Sequence, residues 1–213
     1  MKRSNQLGMG LVELLISSAF GLIVLATVTS VFLKGQQLAT KRAQELGLLQ
    51  NTTSVLQMLR SDVQRAGYDG SDGLSLKLVG ADSTIFSVSN ANQTLLAYAY
   101  LSQVSGGVPY YKNVVYEQRG QLDTSFYICE RDLANRVINI VEAQDFSNQV
   151  GPCNNLFDEN WIHLNSFQVA NEKVEHNGVK SAFLTVNLSV QLAHDSNVNT
   201  SQSFTIKQRN WQE

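Results

Sequence analysis

Residues 14–33 read LLISSAFGLIVLATVTSVFL, twenty positions without a charged side chain. Wound as a helix they rise about 30 Å, the hydrocarbon thickness of a bilayer, so the stretch predicts one spanning helix and decides how the rest is read. Lys2 and Arg3 precede it. By the positive-inside rule they hold the amino terminus in the cytoplasm and send the remainder across the membrane. A cleaved secretory signal also has a basic start and an apolar core. Here, however, the run is longer than a usual signal core, no small-x-small cleavage site follows it, and Glu13 sits at its edge. An uncompensated carboxylate in hydrocarbon costs on the order of 2.5 kcal/mol or more. Glu13 therefore either lies in the headgroup layer or has a use.

Outward from this run the helical pattern continues. Lys34 marks the interface, and the first proline is Pro109. Leu49, Thr52, Leu56, Leu59, Val63 and Ala66 recur at three-four spacing and form one stripe for a partner surface, while Lys41, Arg42, Gln50, Gln57, Arg60, Asp62 and Gln64 fall off it. Gly67 is placed to end the helix, with Gly70 and Gly73 extending the break. The expectation is one helix over residues 9–66, its second half lying on a head.

Beyond Gly70 the period changes. Leu184, Val186, Leu188, Val190 and Leu192 alternate with Thr185, Asn187, Ser189 and Gln191, a half-buried strand. Shorter candidate strands are 84–88, 95–101, 114–117, 125–129, 137–141, 162–169 and 204–207, separated by turn-rich breaks such as Ser105-Gly106-Gly107 and His176-Asn177-Gly178. Residues 130–134 fit a short helical turn. Together these patterns predict an α+β fold, a long amino-terminal helix packed on a carboxy-terminal antiparallel β-sheet head.

With 16 basic and 18 acidic residues the chain is no general nucleic-acid binder. Removing residues 1–8 takes Lys2 and Arg3, leaving 14 against 18 and a net charge of about −4, which gives no broad attraction to phosphate. Nucleic acid is thus not expected as a general partner, and only a local basic patch would recruit it. Cys129 and Cys153 read as one disulfide closing a loop in an exported domain, worth roughly 3 kcal/mol; two buried free thiols are the alternative. No metal ligand set surrounds either cysteine. His163, His176 and His194 are scattered, and Glu130 and Asp132 flank Arg131 as solvated acids do. No catalytic constellation, metal or cofactor is expected.

The segment Gln6-Leu7-Gly8-Met9-Gly10-Leu11-Val12-Glu13-Leu14-Leu15 resembles the processing site of type IV prepilins and type II secretion pseudopilins. The resemblance implies that a prepilin peptidase cuts after Gly8 and methylates the new terminus at Met9, where the family usually has phenylalanine. It also implies that Glu13 docks on the amino terminus of a preceding subunit. Four residues place Glu13 about one helical turn from the Met9 ammonium, and a cation there offsets a carboxylate in apolar surroundings. Two further segments, Leu56 through Ala66-Gly67-Tyr68 and the ending Lys207-Gln208-Arg209-Asn210, resemble PilW-type minor pilins. On this resemblance residues 1–8 are a leader, 9–33 a transmembrane and filament-core helix, 34–66 its periplasmic half and 67–213 the head. The implied function is a minor pilin that primes or caps a type IV pilus. It would reside in the bacterial inner membrane with its head in the periplasm, then move to the fibre. Implied partners are other minor pilins, the major pilin, the prepilin peptidase and, before assembly, membrane lipid. A type II secretion minor pseudopilin shares the amino-terminal logic, and an anchored periplasmic binding protein remains a third reading.

Overall fold

A computed structural model describes residues 10–70, 75–120, 122–176 and 179–210, without the side chains of 176, 179 and 180. Gly8 and Met9 lie outside the described residues. The chain divides into two compact units, residues 1–44 and 45–213.

The amino-terminal unit contains the first part of helix α1 (Leu11–Val63). An 18-residue window there has a mean hydropathy of 2.3 and is wholly unburied, long and apolar enough to cross a membrane. Its polar groups are satisfied locally. The hydroxyls of Ser18, Thr27, Thr29 and Ser30 each donate to a carbonyl three or four residues back, at 2.6 to 2.9 Å. In a bilayer an unsatisfied hydroxyl would cost free energy, and this back-bonding removes that cost. Glu13 lies in the exposed first turn.

The second unit holds the rest of α1 and two antiparallel sheets. The five-stranded sheet runs in the order β1 (Phe86–Ser89), β2 (Thr94–Ser105), β3 (Val108–Gln118), β4 (Tyr127–Ala134), β5 (Cys153–Asn155). Helices α2 (Ile140–Gln144) and α3 (Phe146–Gln149) lie in the connection between β4 and β5. The second sheet comprises β6 (Ile162–His176), β7 (Val179–Leu192) and β8 (Asn199–Lys207).

Period-2 geometry divides the five-stranded sheet into two faces. Leu96, Tyr98, Val114 and Tyr116 face a core shared with Leu48, Leu56, Leu59 and Val63 of α1 and with Phe167, Leu184, Val186, Leu188 and Val190 of the second sheet. Leu95, Ala97, Ala99, Val115 and Cys129 face a smaller core built with Leu78, Ile138, Ala143, Phe146 and Val150. Strand β2 is thus buried on both faces, which explains its unbroken apolar run Leu95-Leu96-Ala97-Tyr98-Ala99-Tyr100. Strand β7 alternates as expected, with Leu184, Val186, Leu188 and Val190 fully buried.

Three expectations need correction. Residues 137–141 are not a strand: Asn139 caps α2, its side chain accepting from the Val141 and Glu142 amides while Glu142 accepts from the Asn139 amide. This Asn-x-x-Glu capping box was present in the sequence and outweighs the β-branched composition. Residues 130–134 are not a helical turn, because β4 pairs along β3 with Asp132 opposite Lys112. The Lys112 ammonium lies 3.6 Å from Glu130 and 3.8 Å from Asp132, a cross-strand charge match that no local pattern contains. Finally, Leu48 rather than Leu49 continues the buried helical stripe, and Leu49 is 38% exposed. Both satisfy three-four spacing, and only the packing partner chooses between them.

Candidate functional site

The end of α1 is where distant parts of the chain converge. Gln64 to Gly67 form turns after Val63, and Gly67 adopts φ +77°, a left-handed conformation that ends the helix without a Cβ penalty. A Cβ at Gly67 would also stand 2.2 Å from the Thr84 methyl, and Thr84 is 1% exposed. The Gly67 amide donates to Ala99 O at 2.9 Å, and Leu101 N donates to Tyr68 O at 2.7 Å, joining the helix end to β2.

Asn210 completes this junction. Its side-chain amide donates to Ala66 O at 3.0 Å, a carbonyl of the turn that follows Val63. Its own carbonyl accepts from Ser75 Oγ and, at 3.1 Å, from Thr84 Oγ1. Ala66-Gly67-Tyr68 and Arg209-Asn210, the two motifs separated in sequence, are therefore one structural feature.

One turn earlier, Asp62 fastens helix to sheet. Its Oδ2 accepts from Tyr98 Oη at 2.6 Å and Tyr116 Oη at 3.2 Å, and Oδ1 lies 4.0 Å from Arg65. Tyr98 and Tyr116 are fully buried. Burial, the neighbouring tyrosine and the Asp62 carboxylate all oppose ionisation of Tyr98, and burial with Asp62 does the same for Tyr116, so both hydroxyls titrate well above the ordinary range. Asp62, which falls off the apolar stripe in the sequence, is a buried-side anchor. Only the tyrosines brought by β2 and β3 give it that role.

On the other face of the sheet Cys129 and Cys153 form a disulfide between directly opposed residues of β4 and β5. The Glu117 carboxylate beside it is 3% exposed and is held by Arg119 Nη2 at 2.6 Å and Gln93 Nε2 at 2.6 Å; the Arg119 guanidinium in turn stands 4.3 Å over the Tyr127 ring. A buried charge so paired and hydrogen-bonded is tolerated. Glu117 lies 3.6 and 3.9 Å from the two sulfurs; these are contacts and not hydrogen bonds, since disulfide sulfur carries no proton. This is the one His/Cys/Asp/Glu group at metal-ligand spacing among the described residues, and its sulfurs are committed to each other. His163 is half-buried and His194 exposed, on separate segments.

Of the residues expected to carry processing and assembly, Gly8 and Met9 lie outside the described residues and Glu13 begins the apolar helix. The family model described as prepilin peptidase-dependent protein B matches residues 41–208, more than three quarters of the chain. Neither a curated protein nor a solved structure matches.

Proposed function

The chain belongs to the prepilin peptidase-dependent protein B family, a pilus-associated, pilin-like group, and from that premise we propose that it is a minor pilin that primes or caps a type IV pilus. A prepilin peptidase removes residues 1–8 after Gly8 and methylates Met9. Residues 9–33 hold the protein in the bacterial inner membrane and later enter the filament core. Residues 34–66 form the periplasmic half of the helix, and residues 67–213 form the head. Glu13 meets the Met9 ammonium of a neighbouring subunit, which sets the register of assembly. Other minor pilins and the major pilin are the partners.

What carries this function is Glu13 at the first turn of a helix whose apolar window is uncharged and wholly unburied. A carboxylate at the edge of hydrocarbon invites a cation, and a processed amino terminus four residues earlier supplies one. The PilW-like helix end and Arg-Asn ending favour a pilus over a type II secretion pseudopilin. Glu13→Ala should leave membrane insertion intact and abolish incorporation into filaments; normal incorporation of that variant would refute the assigned role. Deleting the protein should remove surface pili and leave protein secretion unchanged, whereas lost secretion with pili intact would assign it to the secretion machine.

A further inference from the structure

An open cleft of about 470 Å³ lies beside the helix-end junction, lined by Gln64, Arg65, Tyr68, Tyr100, Arg209 and Asn210 among others. Two guanidinium groups share this cleft, and both residues are exposed to solvent. The Arg65 side chain is 63% exposed; it interacts with the Tyr100 hydroxyl and lies 4.0 Å from Asp62, whose Oδ2 is taken by two tyrosine hydroxyls. Arg209 is exposed and has no ion-pair partner among the described residues. Its backbone is nevertheless fixed on both sides. Gln208 N donates to Ala182 O at 2.9 Å, and Asn210 is held by Ala66, Ser75 and Thr84. Arg65 stands 5.9 Å over the Tyr100 ring, and the neighbouring Tyr68 is 52% exposed.

A pocket of this size, with two forked donors, one of them over the Tyr100 ring, suits a planar carboxylate. We propose that this cleft receives an aspartate or glutamate side chain from a partner pilin subunit, a proposal that rests on the pilin function above. A phosphate backbone would supply the same anionic oxygens. However, acids outnumber bases over the whole chain, 18 to 16, and a polyanion tracks an extended basic groove rather than one pocket.

The test places a photoreactive phenylalanine analogue at Gln64 of the full chain, in cells assembling the filament, and reads the cross-linked peptide by mass. The expected product is a pilin segment with an aspartate or glutamate within a few residues of the link. Its yield should fall about tenfold, equivalent to one charge-assisted bond, in Arg65→Gln with Arg209→Gln and largely return with lysine at both positions. Arg209→Gln alone serves if the double variant fails to form the Cys129–Cys153 disulfide. A link to nucleic acid, a link to a segment without acids, or a yield indifferent to the arginines overturns the proposal. The amino terminus is sequenced in the same sample. A chain processed after Gly8 without a cross-link sinks the cleft proposal alone; an unprocessed chain sinks the pilin function beneath it.

Discussion

The side-chain amide of Asn210 donates to the carbonyl oxygen of Ala66 at 3.0 Å, closing the end of the long helix with a residue 144 positions later in the chain. The contact ties the last described residue of the head to the element that leads into the membrane-type segment. Asn210 thereby joins the helix end to Ser75 and Thr84. Asn210→Ala should cost about 1 kcal/mol, the usual size of a lost capping bond. Gly67→Ala should cost more, about 2 kcal/mol or above, because it combines a positive φ with a Cβ 2.2 Å from a buried methyl. Urea titration of the full chain in detergent measures both, and equal effects would contradict this reading of the junction.

Asp62→Ala leaves the Tyr98 hydroxyl buried without its 2.6 Å acceptor. The expected loss is about 1–3 kcal/mol. Asp62→Asn keeps a carbonyl acceptor and should lose less. The same denaturation experiment ranks the two; an Asp62→Ala protein as stable as the parent would remove Asp62 from the anchor.

Alkaline stability follows from the two tyrosines. Their folded values are raised above the ordinary value of 10.0, chiefly by burial. The unfolded chain therefore releases these protons first. Their stabilising contribution is complete below pH 10 and is lost progressively as pH rises above it. Ultraviolet titration should show two of the seven tyrosines ionising only as the head unfolds. Seven tyrosines titrating together before unfolding would contradict the burial.

Reducing the Cys129–Cys153 disulfide frees a loop whose ends are 24 residues apart, and should cost roughly 3 kcal/mol if loop entropy dominates. The urea midpoint with and without a phosphine reductant measures this. The Cys129→Ser, Cys153→Ser double variant should match the reduced protein. Unchanged midpoints would show that β5 is held by its packing and not by the crosslink.

Legibility in the sequence followed the range of the interactions. The apolar helix, the Gly67 stop and the alternation of Leu184 through Leu192 were readable because each depends on local period or backbone conformation. The first part of β4 fell within the expected strand 125–129, but its continuation through 130–134 was not readable, since Lys112 and Asp132 meet only when two strands pair. The cap on α2 was readable in principle from Asn139 and Glu142, and was hidden by the β-branched residues around it. The helix-end motifs were visible as two segments, but their union through Asn210 and Ala66 depends on tertiary contact. The Asp62 anchor belongs to the same class, because its partners Tyr98 and Tyr116 come from β2 and β3.

The most direct measurement is the intact mass and amino-terminal sequence of the membrane-purified protein, made with and without an active prepilin peptidase. The account predicts a chain beginning at N-methylated Met9, formed only when the peptidase is active, with Glu13 four residues inside it. A chain that keeps residues 1–8 under both conditions, or one cut after the apolar run that ends at Leu33, would contradict it.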